Sequence, residues 1–166
     1  YKSGYGGYRE NKQYSFNKNT GKYFVYAYIN GKIISIRYFD FEEDFVEENL
    51  RCIPMIVRFK MDAAGIKLKL AEWSKFTTEE RIQLALQNCE TAEEIEAYNI
   101  FLSSIIKTHT GNDATSLVID TNPDWKNLNT IPNLLNEKLS ESNQTIDNLQ
   151  WKKLSNLQRF ALIKLS

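Results

Sequence analysis

The sequence predicts a mainly α-helical protein, a compact multi-helix domain with two tryptophan-centred helix–turn–helix corners, preceded by an N-terminal β-hairpin or three-stranded sheet. Three observations predict it. From Met55 onward apolar residues recur at helical spacing, with Pro, Ser, Thr and Gly where helices start and stop. The pattern Trp73-x-x-Phe76-Thr77-x-x-Glu80-Arg81-x-x-Leu84 returns as Trp151-x-x-Leu154-Ser155-x-x-Gln158-Arg159-x-x-Leu162. Before Phe39 the rhythm changes to aromatic and β-branched alternation on either side of Asn30-Gly31, the strongest short hairpin signal.

Residues 1–11, YKSGYGGYREN, are too rich in Gly and Tyr to build a core. They read either as a flexible arm or as a segment that orders against a partner, with Tyr1, Tyr5, Tyr8 and Arg9 as its contact points. A two-residue Asn30-Gly31 loop pairs Ala27 with Ile34, Val25 with Ile36 and Tyr23 with Tyr38 on an apolar face. The other face carries Tyr28 with Ile33, Tyr26 with Ser35 and Phe24 with Arg37. Tyr14 and Phe16 suit a third short strand. An isolated hairpin is marginal in water, so one face is expected to pack on something. The face with Phe24, Tyr26, Tyr28 and Arg37 reads equally as a cover for a small sheet and as an interface.

Asp40 and Glu43 suit a capping box for a helix from Phe41 to Leu50. Six acids between Asp40 and Glu48 fit a solvated helix start, where the dipole favours them, better than a metal site. Pro54 sits at a helix start and Gly65 at its end, with Met55, Ile56, Phe59 and Ala63 between them. Thr77 with Glu80 opens a helix to about Leu86. Thr91 with Glu94 opens a long amphipathic one through Ile95, Tyr98, Leu102 and Ile105 to Thr110-Gly111. Residues 112–130 read as a loop pinned by Leu117, Ile119 and Trp125. Pro132 starts a short helix with Leu134, Leu135 and Leu139 that Ser140–Gln144 breaks. At each repeated corner a Trp ends one helix and Ser or Thr caps the next; no third copy occurs, which excludes a solenoid.

Composition narrows the functional classes. The 166 residues suit one domain with a small appendage, and 42% apolar content suffices for a core. Lys+Arg and Asp+Glu are both 21, which argues against nucleic acid as the partner. No apolar run reaches the roughly 20 residues of a membrane span. Cys52, Cys89 and His109 are too few for a closed zinc site or a disulfide scaffold. No phosphate loop, nucleophile elbow or HExxH motif is present. A Cys–His nucleophile pair would need Cys52 or Cys89 beside His109; core thiols and a dipole-matched histidine at a helix end are the plainer readings. The expectation is a protein with no catalytic residue, no metal and no cofactor.

FEEDFVEENLRCIPMIVRFKMDAAGIKLKLAEWSKFTTEER, with Leu157-Gln158-Arg159-Phe160 near the end, resembles the conserved nitrate reductase-associated protein family of cyanobacteria and their relatives. The RCIPM and GIKL runs and Trp73 are its specific parts, and it covers about residues 39–166. That divides the chain into a 1–38 appendage and a 39–166 helical domain. The resemblance implies a non-enzymatic factor for assembly or maturation of nitrate reductase, in the cyanobacterial cytoplasm or the plastid stroma. Under that role Cys52 touches a cofactor in transit, or is simply a packed thiol. Residues 1–38 have no counterpart in the family. Gly31-Lys32-Ile33-Ile34-Ser35-Ile36 is faintly similar to a strand of small phycobilisome linker domains. The alternative is therefore a structural or linker subunit bound to phycobiliproteins or photosystem subunits. On either reading Tyr5, Tyr8, Arg9, Phe24, Tyr26, Tyr28 and Arg37 are the expected partner-binding residues.

Overall fold

The computed structural model describes residues 52–166 in full and, ahead of them, the backbone of three strands. These are β1 (Lys12–Asn17), β2 (Lys22–Ile29) and β3 (Lys32–Ile36), an antiparallel sheet in the order β1-β2-β3. The Asn-Gly register is the expected one, with Ala27 opposite Ile34, Val25 opposite Ile36, Tyr26 opposite Ser35 and Tyr28 opposite Ile33. β1 is the third strand and sets Tyr14 opposite Val25 and Phe16 opposite Tyr23. The Gly/Tyr arm, the Tyr38 and Arg37 pairings and the Phe41–Leu50 helix lie outside the described residues.

Seven α-helices follow among the described residues. α1 (Met55–Ala64) starts after Pro54 and ends on Gly65 at φ 68°, the left-handed conformation that Gly adopts at least cost. A side chain there would also meet Ile119 Cγ1 at 3.0 Å and the Leu117 carbonyl at 3.2 Å. α2 (Leu70–Trp73) and α3 (Thr78–Leu86) form the first corner. Thr77 Oγ1 accepts from the Glu80 amide at 3.2 Å, and the Thr77 amide donates to Glu80 Oε2 at 2.8 Å. α4 (Ala92–Thr110) is the long helix, capped by Thr91 and Glu94 and stopped at Gly111. α5 (Asn133–Glu141), α6 (Asn148–Lys153) and α7 (Asn156–Leu165) follow.

The region expected to be loop holds more structure than its polarity suggests. Thr115–Ser116 (β5) pairs antiparallel with Ile66–Lys67 (β4), and Asp124–Lys126 forms a 3₁₀ turn. Both pieces are short and held by distant partners, so local sequence carries little sign of them.

α1 lies at the centre and packs on α3, α4 and α7. Its buried side chains are Met55, Val57, Lys60, Met61 and Ala64; Ile56, Phe59 and Ala63 are only half-buried. The stripe is wider than an amphipathic reading gives because two cores share the helix. Val57, Met61 and Ala64 join Trp73, Phe76, Leu84, Tyr98, Leu102 and Ile106 in the main core. Met55 and Phe59 join Phe160, Ala161, Trp125 and Leu157 in a second.

The repeated corner is part of a longer repetition at a constant offset of 78 residues. Pro54 and Pro132 precede matching helices, α1 and α5. Gly65 and Asn143 then turn left-handed, at φ 68° and 54°, and Asn143 is the one non-Gly residue described with positive φ. Lys69 and Asp147 donate their amides to Glu72 and Gln150, opening α2 and α6. Trp73 and Trp151 are both fully buried, and Thr77 and Ser155 cap α3 and α7. The Phe76 and Leu154 amides both donate back to the Trp carbonyl at 3.2 Å. The domain is thus two copies of one three-helix unit joined by α4 and the 112–131 segment.

Candidate functional site

A cleft of about 540 Å³ lies where the two units meet, between α1, α7 and the segment 117–126. Trp125 and Phe160 line it, and Phe59, outside the lining, packs on both. Phe59 stacks edge-on against Phe160 at 5.3 Å and tilts against Trp125 at 5.0 Å. Ile95 and Ile163 extend the apolar wall, and the Asp62–Lys164 ion pair at 2.9 Å closes one side. Leu117, Val118 and Ile119 form the rim and are 36%, 93% and 51% exposed. Contiguous exposed apolar side chains of this kind mark interaction sites rather than ordinary surface.

The rim is fastened at both ends. On one side β5 pairs with β4, and the Leu117 amide donates to the Gly65 carbonyl at 2.8 Å. On the other, Trp151 Nε1 donates to the Asn127 carbonyl at 2.8 Å and Arg159 Nε to the Trp125 carbonyl at 2.7 Å. Arg159 is buried and also donates to the Trp151 and Leu154 carbonyls and to Asn156 Oδ1, so its charge meets the C-terminal carbonyls of α6.

Lys60, Cys89 and His109 each have a structural partner, whereas Trp73 Nε1, Arg81 Nε and Nη1, Gln87 Oε1 and the Tyr98 hydroxyl are buried without a hydrogen bond. Lys60 donates its ammonium to the Ala85 and Gln87 carbonyls at 2.7 and 2.6 Å, at the end of α3; burial pulls its pKa down to about 8. Cys89 is buried, its thiol donates to the Lys60 carbonyl at 3.7 Å, and desolvation pushes it up to about 11, away from the reactive thiolate. His109 Nε2 bonds to Glu80 Oε2 at 2.8 Å, and its ring lies 5.7 Å from Phe76. Cys89 and His109 are therefore each engaged elsewhere. Cys52 is half-buried two residues before Pro54, and no disulfide joins it to Cys89. Among the described residues no three His, Cys, Asp or Glu side chains are grouped to hold a metal, and no helix is long and apolar enough to cross a membrane.

Of the residues expected to bind a partner, Phe24, Tyr26 and Tyr28 occupy alternate positions of β2 and so share one face of the sheet. Their side chains, and Tyr5, Tyr8, Arg9 and Arg37 altogether, lie outside the described residues. The cleft was missed by sequence reasoning. Leu117, Val118 and Ile119 form a short apolar run in a polar stretch, which reads as an anchor and only in three dimensions proves to be a rim.

The sequence model of the conserved nitrate reductase-associated protein family matches residues 38–166, covering both three-helix units and the segment between them. No curated protein and no solved structure matches the chain.

Proposed function

The chain belongs to the conserved nitrate reductase-associated protein family, and from that premise we propose that it is a non-enzymatic protein-binding factor that associates with nitrate reductase and serves its assembly or maturation. The observation that carries this reading is the cleft. Its rim residue Val118 is 93% exposed on a segment tied down at both ends, so an apolar side chain is held out to solvent at little conformational freedom. Ile95, Leu117, Val118, Ile119, Trp125 and Phe160 lead the lining, with Asp120 and Asp124 beside them, which suits the capture of an apolar protein side chain with a polar edge. The sheet face with Phe24, Tyr26, Tyr28 and Arg37, and the arm with Tyr5, Tyr8 and Arg9, form the second contact in this reading. The setting is the cyanobacterial cytoplasm or the plastid stroma.

The test is mild native purification of the tagged protein from its source, with Val118→Asp and Ile119→Asp beside it. Nitrate reductase is expected in the wild-type eluate. Loss of one apolar anchor is expected to weaken its retention by about thirtyfold, the effect of roughly 2 kcal/mol. An eluate without nitrate reductase overturns the reading, and one with phycobiliproteins or photosystem subunits favours a linker role instead. Unchanged retention of nitrate reductase by both variants moves the interface away from the cleft.

A further inference from the structure

Among the described residues the two units are covered unequally. In the first, α4 lies across α1, α2 and α3, and Ile56, Met61, Leu68, Phe76 and Leu84 all belong to the core it completes. Adding 78 to each number gives Leu134, Leu139, Ile146, Leu154 and Leu162, every one of them apolar. Leu134, Leu139 and Leu162 lie on α5 and α7, and Ile146 and Leu154 in the connections beside α6; helices and turns repeat the first unit's, so the five fall on the corresponding face. Met61, Leu68, Phe76 and Leu84 are buried, whereas Leu139, Ile146, Leu154 and Leu162 are only half-buried, and Leu134 is 57% exposed. The chain between Ser142 and Asn148 follows the same logic. Ile66, after the left-handed turn of the first unit, is 2% exposed; its counterpart Gln144, after Asn143, is exposed.

We propose that this face of the second unit is a docking site for an amphipathic helix of a protein partner, seated as α4 is seated on the first unit. The chemistry of the occupant follows from α4 itself. Its apolar stripe, Ile95, Tyr98, Leu102, Ile105 and Ile106, is what a face of this shape accepts. Asn99 on α4 donates Nδ2 to the Ala64 carbonyl at 2.8 Å, at the end of α1. The matching carbonyl on the second unit is that of Ser142, so a partner helix with a donor one residue past its second apolar position gains the equivalent bond. This surface shares α7 with the cleft but none of the cleft's lining residues, and its occupancy does not depend on the partner being nitrate reductase.

The probe is a synthetic peptide of residues 91–111, lactam-bridged on its solvent side to hold it helical, since an isolated helix of this length is marginal. It is titrated into the full-length protein carrying a photo-crosslinking side chain at 134 or, separately, at 56. Saturable binding with crosslinking at 134 is expected. Leu102→Asp in the peptide should weaken binding by roughly tenfold or more through loss of a buried anchor. Ile100→Asp, at a position 60% exposed on α4, should leave it unchanged. Leu134→Asp in the protein should weaken it similarly, with the far-UV spectrum unaltered. Absence of saturable binding at millimolar peptide, crosslinking at 56 alone, or equal affinity of the Leu102→Asp and Ile100→Asp peptides overturns the proposal, and each leaves the nitrate reductase reading to its own test.

Discussion

At Lys60 a charged group sits inside the core and donates to the Ala85 and Gln87 carbonyls, and this shapes how stability responds to pH. Desolvation lowers its folded-state pKa from 10.5 to about 8. Between those values the unfolded chain keeps a proton that the folded chain has released, so stability rises with pH from about 8 upward. Cys89 acts in the opposite sense. Its thiol moves from 9.0 to about 11, so the unfolded chain loses its proton first, and stability falls from about pH 9. Between pH 8 and 9 the lysine contributes about 1 kcal/mol of added stability, of which the thiol offsets roughly a third. Denaturant midpoints across that interval should therefore rise for the natural protein. Lys60→Met should flatten the rise and Cys89→Ala should steepen it; a flat natural profile would show that the ammonium is solvated. Nothing in the sequence marks Lys60, because a lysine in an amphipathic helix reads as solvent-facing. Gly65 and Trp73, by contrast, are legible, since a helix-stopping Gly and a corner Trp act through the chain next to them.

Among the elements, the capping boxes were the most readable, because each is a contact between residues three apart. Thr77 and Ser155 accept from the Glu80 and Gln158 amides at 3.2 Å, and both answering side chains reach back to the cap at 2.8 Å. Thr77→Ala and Ser155→Ala are each expected to cost about 1 kcal/mol in chemical denaturation, and the double variant about the sum, since the caps are in separate corners. Neutral single variants would mean that tertiary packing alone holds the helix starts. The same chemistry opens α6, where Asp147 Oδ1 accepts from the Gln150 amide at 2.7 Å. Asp147-x-x-Gln150 is as legible in the sequence, just past the polar Ser140–Gln144 break. The β4–β5 pairing was not legible. Two-residue strands have no periodicity of their own, and Ile66 finds Ser116 only because α4 reverses the chain between them.

For the whole molecule, a chain of residues 39–166 is expected to fold alone. The family match covers 38–166, and both hydrophobic clusters found among the described residues lie within it. A defined near-UV circular dichroism spectrum and a cooperative melt would agree; a molten spectrum would place Tyr23, Val25, Ile34 and Ile36 in the main core. The sequence by itself determined the helical class, the corners, the caps and the hairpin register, because propensity, capping and turn chemistry act over a few residues. The repetition was half-visible there, in the corner motif. The offset reaches back through Ile53-Pro54 and Ile131-Pro132, but between these anchors the paired positions keep little identity. What only the tertiary structure decided is which of two similar apolar stripes is covered. Helix α4 can lie on one unit alone, so Met61 is buried while Leu139 is half-bare, and Leu117, Val118 and Ile119 become the rim of a cleft. Local sequence states that a residue is apolar; whether it meets protein or water is set by where the rest of the chain folds.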